Sequence, residues 1–408
     1  MTAPPVLVVV GNPDNRRVTG FRAAATGGWP GRLEVLPWRR LATGPVRLPA
    51  GAVVRVDSPG EDAEVDRLLR GAARPAEHGE ITGLAAWHRG LGDALDRLAT
   101  AARAAGATLL NAPDEIHTMF DKRACHARLA AAGMPVPAAL PAPPRDYDEL
   151  RAALRAAGWS RVFVKPAHGS SASGVLALEL AGGRIRATTS VELTTGGRLF
   201  NSLRVRTYQA ERDVAAIVDR LAPDSLHVER WFPKAGLGDR AVDLRVLVVA
   251  GEPTHTVVRS SRGPLTNLHL GNARGDLAAL RAAMGPAAYR SALDTCVRAA
   301  GCFPGSLHVA VDLLPGVGWR RHAVAEVNAF GDLLPGLRDD AGRDTWAAQL
   351  HALRTGRFAA LRTGRFAALR TGRFAALRTG RFAVRGATAG GAAVPADPAG
   401  RVGSGVAA

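Results

Sequence analysis

A cation closing an apolar run, with a loop of small residues behind it, is the first arrangement in this chain that could do chemistry. Phe163-Val164-Lys165-Pro166 ends on such a cation, and Ala167-His168-Gly169-Ser170-Ser171-Ala172-Ser173-Gly174 follows it. Small side chains let backbone N–H groups approach phosphate oxygens. The lysine precedes the glycines and GxxxxGK(S/T) is absent, so the stretch is not a Walker A loop. Taken alone, it is more simply a β-hairpin with a Ser/Gly turn.

A second set is acidic. His308-Val309-Ala310-Val311-Asp312 and Ala325-Glu326-Val327-Asn328 read as strands, with Pro315-Gly316-Val317-Gly318 between them suiting a hairpin. Side chains alternate along a strand, so Glu326 and Asn328 share a face, and pairing of the two strands would bring Asp312 to it. Two close carboxylates repel unless a cation or proton intervenes. With an amide oxygen they form a hard donor set that suits Mg²⁺, which prefers substrate phosphates in the rest of its shell. The plain alternative is that all three residues face solvent.

Two further segments carry less on their own. Asp243-Leu244-Arg245, Val257-Val258-Arg259 and Asn267-Leu268-His269-Leu270-Gly271-Asn272 put an arginine at the end of an apolar strand. It could clamp a transferring phosphoryl group or pair with Asp243 or Glu252. In Val228-Glu229-Arg230-Trp231-Phe232-Pro233 an apolar strand runs out into a turn with an aromatic beside an acid. Such a segment can offer backbone groups to a base.

These residues need elements to position them. Val6 to Val10, Val53 to Val56 and Thr108 to Leu110 alternate with a helical stretch from Leu84 to Ala105, which predicts a small parallel α/β domain over residues 1–112. No GxGxxG follows the first strand, so a dinucleotide site is not supported there. Thr118 with Asp121 resembles a capping box before a helix that carries Lys122 and stops at Gly133. Residues 137–144 form a proline-rich connector. Short strands then alternate with helices near 147–157, 210–221 and 286–300, an α+β pattern in two lobes. The expected boundaries are 113–230 and 231–350, with a tail over 351–408.

Composition narrows the class. The 408 residues are 47% hydrophobic, and the longest apolar runs (Val6 to Val10, Val246 to Ala250) fall far short of the ~20 residues a membrane span needs. Cys125, Cys296 and Cys302 show no CxxC spacing, so neither a disulfide framework nor a zinc site is indicated. A protein of a reducing cytoplasm is expected. The net charge of +17 is half local, since residues 351–408 hold ten arginines and one aspartate. That tail repeats ALRTGRFA every eight residues from Ala352, a period that turns Leu353, Leu361, Leu369 and Leu377 off any one helical stripe, and each repeat carries a helix-weakening glycine. It reads as disordered or weakly ordered, and the charge does not argue for nucleic-acid binding.

The order and spacing of the motifs, from the lysine on a helix to Asp…Glu-x-Asn, closely resemble the ATP-grasp superfamily over about residues 112–340. The stretch from Asp243-Leu244-Arg245 through Arg259, Asn267-Leu268-His269 and Gly271 is similar to the branch of amino-acid ligases that adds glutamate to a ribosomal protein. Glu229-Arg230-Trp231-Phe232 looks more like the hinge of D-alanine–D-alanine ligases. The resemblance implies an α/β N-terminal domain followed by a two-lobed α+β ATP-grasp domain. Lys122 and Lys165 would hold the α- and β-phosphates of ATP, with Gly169, Ser170, Ser171 and Gly174 closing over them. Glu229 would accept from the adenine amino group, the Arg230 carbonyl and Phe232 amide would read the ring edge, and Trp231 would pack near it. Asp312, Glu326 and Asn328 would bind one or two Mg²⁺, or Mn²⁺ in its place, while Arg259 and Asn267 would face the γ-phosphate and an acyl phosphate. The implied activity is an ADP-forming carboxylate–amine ligase on small-molecule or peptide substrates, and a homo-oligomer is common in that superfamily.

Three departures stand out. Ala310 occupies the place where D-alanine ligases carry an arginine before the metal-binding aspartate. No residue clearly matches the ribose-binding acid, Gly236 falling near that place and Asp239 being a candidate only. Residues 188–207 resemble nothing assignable and could hold a substrate-specific element. The competing readings are a partner that holds ATP without turning it over and a nucleic-acid binder. His168 and His308 read as structural hydrogen-bonders, Cys296 and Cys302 as buried thiols, and a substrate contact for His269 comes only from the resemblance.

Overall fold

The computed structural model describes residues 4–169, 173–266 and 272–363. Ser170, Ser171 and Asn267 therefore lie outside the described residues, as does most of the repeat tail.

The first sheet is parallel, in the order β2-β1-β3-β4, from β1 (Leu7–Gly11), β2 (Leu33–Pro37), β3 (Val53–Val56) and β4 (Thr108–Leu109). β1 is buried at every position, as a central parallel strand must be. β2 is only partly buried, so Leu33-Glu34-Val35-Leu36-Pro37 carries none of the continuous apolar signal that marks β1. The connecting helices are α1 (Arg16–Gly28), α2 (Trp38–Thr43), α3 (Ala63–Arg70) and α4 (Leu84–Ala105). Two short helices follow, α5 (Pro113–Met119) and α6 (Lys122–Ala131). Thr118 turns out to sit inside α5, its hydroxyl donating to the Asp114 carbonyl, and Asp121 caps α6 by accepting from the Arg123 and Ala124 amides. The cap is thus the aspartate itself, which places Lys122 at the first helical position.

The second sheet is antiparallel, in the order β8-β7-β6-β5-β9. Its strands are β5 (Arg161–Pro166), β6 (Leu176–Ala181), β7 (Arg184–Leu193), β8 (Leu199–Tyr208) and β9 (Leu226–Arg230). Val162, Val164 and Val228 face α7 (Tyr147–Ala157) and α8 (Glu211–Leu221) across a core that includes Leu150, Leu154, Val214 and Val218. The alternate residues Phe163, Lys165, His227 and Glu229 take the other face. Residues 188–207, unassigned in sequence, form most of the β7–β8 hairpin.

The third sheet is also antiparallel, β13-β12-β11-β14-β15, with β10 on β11. It comprises β10 (Gly236–Leu237), β11 (Arg240–Val249), β12 (Glu252–Ser261), β13 (Ala273–Arg274), β14 (His308–Pro315) and β15 (His322–Asn328). Leu244, Val246, Val258, Val311 and Val327 join the core with Leu280, Ala292 and Cys296 of α9 (Leu277–Gly301). α9 breaks at Gly285, whose φ of +75° precedes Pro286.

The repeats begin inside the folded body. α10 (Thr345–Arg354) and α11 (Arg357–Arg362) carry the first copy, with Phe358 buried beside Leu247, Val257 and Ala352 and Arg357 paired with Glu252. Packing thus continues past residue 350, because tertiary burial of Phe358 outweighs the weak helix propensity of the repeat.

Candidate active site

Register on the third sheet builds a row of charge from neighbouring strands. Asp243 lies opposite Arg259, Arg245 opposite Asp312, and Asp312 opposite Glu326. Asp243 and Arg245 are two apart on one strand, so all five side chains share a face. Arg245 grips Asp312 with two parallel hydrogen bonds, Nε to Oδ1 at 2.8 Å and Nη2 to Oδ2 at 2.9 Å. Arg259 Nη1 adds a bond of 3.2 Å to Asp312 Oδ2, and its Nε donates to Asp243 Oδ1 at 2.5 Å. Burial alone would push the Asp312 carboxyl up, but the two guanidiniums outweigh it and hold it down at about 2. The same pairs, against its own desolvation, hold Arg259 firmly protonated.

The second sheet offers a smaller cluster. Lys165 Nζ is 2.6 Å from Glu229 Oε2, and His227 Nε2 is 2.8 Å from Glu229 Oε1. Both carboxylate oxygens are therefore satisfied from within the chain. Desolvation of Glu229 is again outweighed, here by Lys165 and then His227, which together hold the acid at about 2. Beyond it, Trp231 packs on Phe163 with centroids 4.9 Å apart, and the Trp231 amide donates to the Arg161 carbonyl. The Arg230 amide donates to Ala138, pinning the hinge to the proline-rich connector. The Phe232 ring lies against Gly316, where an added Cβ would come within 3.2 Å of it.

Lys122 links the charged row of the third sheet to the glycine/serine segment. Its Nζ lies 3.3 Å from Glu326 Oε1 and also donates to the Gly169 carbonyl, while its amide donates to Ala167 at 2.9 Å. The start of the glycine/serine segment is thereby tied to the carboxylate of β15. Gly174 closes that segment with a φ of +73°, and an added Cβ would meet Pro166 at 2.5 Å. Phe163, Val175 and Leu265 pack together beside this segment.

Sequence reasoning missed Lys234. It is nearly buried between the clusters, donating to the Pro264 carbonyl and the Thr266 hydroxyl at 3.1 Å each, with Asp243 Oδ2 at 3.9 Å. Burial lowers its ammonium to about 8, Asp243 opposing and the Arg259 and Lys165 charges adding to the fall. Lys234 follows Pro233 in a turn with no periodicity, so only the fold reveals that Lys165, Lys234 and Arg259 face one region.

Two carboxylates and one amide make up the candidate metal donors. Asn328 Nδ2 points to the Ala310 carbonyl at 3.5 Å, which leaves its Oδ1 available. Among the described residues no group of three or more His, Cys, Asp or Glu is placed to hold a metal. The hard oxygen set still suits Mg²⁺, which draws further ligands from substrate phosphates, although the metal must compete with Arg245, Arg259 and Lys122. The thiols offer no nucleophile: burial drives Cys125 up to about 12 and Cys296 higher. A hollow of about 260 Å³ lined by Trp159, Arg155 and Arg184 lies at the opposite end of β5 from Lys165 and takes no part. No described helix is long and apolar enough to cross a membrane.

No family model matches the sequence, and no curated protein matches it. Solved structures do. D-cycloserine synthetase DcsG superposes with a TM-score of 0.51 at 15% identity, over 86% of this chain and 99% of that one. ATP-grasp ligase PsnB, complexed with minimal precursor, Mg and ADP, gives 0.49 at 17% identity over 86% and 97%. Macrocyclase MdnC from Microcystis aeruginosa, bound with precursor peptide MdnA, gives 0.49 at 12% over 86% and 99%. At these identities the likeness is one of fold alone: this chain has the fold of D-cycloserine synthetase DcsG.

Proposed function

We propose that the chain is an ATP-dependent ligase that activates a carboxylate as an acyl phosphate and joins it to an amine. The observation that carries this reading is the opposed pair Asp312–Glu326, with Asn328 beside it, tied through Lys122 to the segment that Lys165 opens. Phosphoryl transfer asks a protein for positioning and charge neutralisation, which is what this cluster supplies.

A substrate carboxylate oxygen would attack the γ-phosphorus, the bond to the β,γ-bridging oxygen would break, and ADP would leave. The amine nitrogen would then attack the acyl carbon, phosphate would depart, and the amine proton would pass to phosphate or solvent. Lys122 and Lys165 would bind the α- and β-phosphates, with Lys234 and Arg259 towards the γ-phosphate. Asp312, Glu326 and Asn328 would hold Mg²⁺, which when bound neutralises the phosphate charge. Glu229 reaches an adenine amino group only by sharing an oxygen now held by Lys165 or His227. Ser170, Ser171 and Asn267 would complete the loop and acyl-phosphate contacts. The substrates would be small molecules or peptides bearing a carboxylate and an amine.

The test is ADP release on screening carboxylate and amine pools together and singly. Stimulation that needs both substrates and is lost in Glu326→Gln supports a ligase. Nucleotide binding with no stimulation by any pool would favour a protein that holds ATP without turning it over.

A further inference from the structure

Three imidazoles from three elements stack in one column beside the candidate phosphate site. His88 of α4 is the middle ring. His117 of α5 lies 3.8 Å from it, centroid to centroid and 20° from parallel, and His168, just before Gly169, lies 4.1 Å away on its other side at 16°. The first pair is locked by reciprocal contacts, His88 Nε2 to the His117 carbonyl at 3.0 Å and His117 Nε2 to the His88 carbonyl at 3.2 Å. Room for the column is made by Gly92, one turn after His88, where an added Cβ would lie 2.9 Å from His117 Nε2. His168 Nδ1 is buried without a hydrogen-bond partner, and the ring is held by the stack together with a hydrogen bond to the Phe120 carbonyl. α4 is anchored to the second sheet's layer at its own start, where Asp224 accepts from the Leu84 and Ala85 amides at 3.0 Å each.

We propose that His88, acting through His168, is a positioning residue that holds the start of the glycine/serine segment against the nucleotide phosphates, and that it does so only while these two rings are neutral. This rests on the nucleotide reading above. His168 adjoins Gly169, whose carbonyl takes the Lys122 ammonium, and follows Ala167, whose carbonyl takes the Lys122 amide. A shift of the ring therefore moves the backbone that orients Lys122. Stacked neutral aromatics gain from contact, whereas adding a proton to a desolvated column is costly. The groups facing it are Asp121, Asp224 and the His117 and Phe120 carbonyls, which favour a proton, and Lys122 and the neighbouring rings, which oppose one. Burial, the largest influence, takes His88 down to about 4 and His168 in the same direction. The sign follows: the His88 ring stays neutral in the folded protein until pH falls to about 4, and its stabilisation, fully present above the ordinary value of 6.5, fades between 6.5 and 4.

The experiment is calorimetric titration of Mg²⁺·ADP into the full chain, His88→Ala and His88→Phe, at about pH 7.5 and about pH 4, the lower value being where His88 takes its proton. Circular dichroism confirms folding in each sample. Expected at the higher pH is binding weakened about three- to tenfold in His88→Ala, the loss of one aromatic pair, and near wild-type binding in His88→Phe. On acidification the wild type should weaken more than His88→Phe, because a charged His168 over a phenyl face is tolerated. Wild-type binding with His88→Ala unchanged, or with His88→Phe weakening in acid as much as the wild type, would overturn this inference alone. No binding by the folded wild type would overturn the nucleotide reading with it.

Discussion

Lys122 Nζ lies 3.3 Å from Glu326 Oε1, so the first residue of α6 and the last strand of the third sheet share one charge pair at the mouth of the glycine/serine segment. Asp312, directly opposite Glu326, is by contrast held by two arginines and nearly inaccessible. The two carboxylates thus have different neighbours, and their substitutions should separate chemistry from stability.

Asp312→Asn leaves Arg245 and Arg259 without their shared buried partner, at a cost of about 3 kcal/mol or more. Glu326, about a third exposed, should cost under about 1 kcal/mol as Gln. Both should lower ADP formation by about 100-fold or more, as loss of a preorganised electrostatic group does. Chemical denaturation beside an ADP assay reads the two effects separately, and full activity in both variants would remove the metal assignment.

Glu229 should make stability depend on acid. Its folded value of about 2 lies below the ordinary 4.5, so the stabilisation is present above 4.5 and is lost as pH falls towards 2. The difference in unfolding free energy between the wild type and Glu229→Gln should therefore shrink across that window. A difference independent of pH would show that Lys165 and His227 do not hold the ionised form.

Lys234 should do the reverse for anion binding. With its ammonium at about 8, its charge fades above that pH, and Mg²⁺·ATP affinity should fall in the wild type and stay flat in Lys234→Met. Equal profiles would place Lys234 outside the phosphate field.

Gly90 is a packing constraint rather than a flexible point. A Cβ there would sit 2.0 Å from the Leu69 carbonyl oxygen, so Gly90→Ala must push α3 from α4. Thermal unfolding should show a net loss of about 1–3 kcal/mol, although alanine gains about 1 kcal/mol of helix propensity.

Much of the site was legible because strand alternation is a strict rule. Lys165, Asp312, Glu326 and Asn328 each end or punctuate an apolar run, and the β14–β15 hairpin follows from the turn residues between its strands. Pairing across non-adjacent strands was not legible. Nothing in sequence says that β11 lies between β12 and β14, and that order alone brings Arg245 onto Asp312 and Arg259 onto both acids. The histidine column was equally hidden, because its members come from α4, α5 and a loop, and each looks solitary. β2 escaped because an edge strand lacks the apolar run, and the packing of the first repeat was hidden because burial of Phe358 is a tertiary effect.

The most direct test of the nucleotide site is calorimetric titration of ATP into the full chain with and without Mg²⁺, beside Lys165→Ala. Expected is Mg²⁺-dependent binding by the wild type, weakened at least about tenfold when the lysine charge is removed. Absence of binding by a folded wild type, or equal affinity in Lys165→Ala, would contradict the assignment of these residues to a nucleotide.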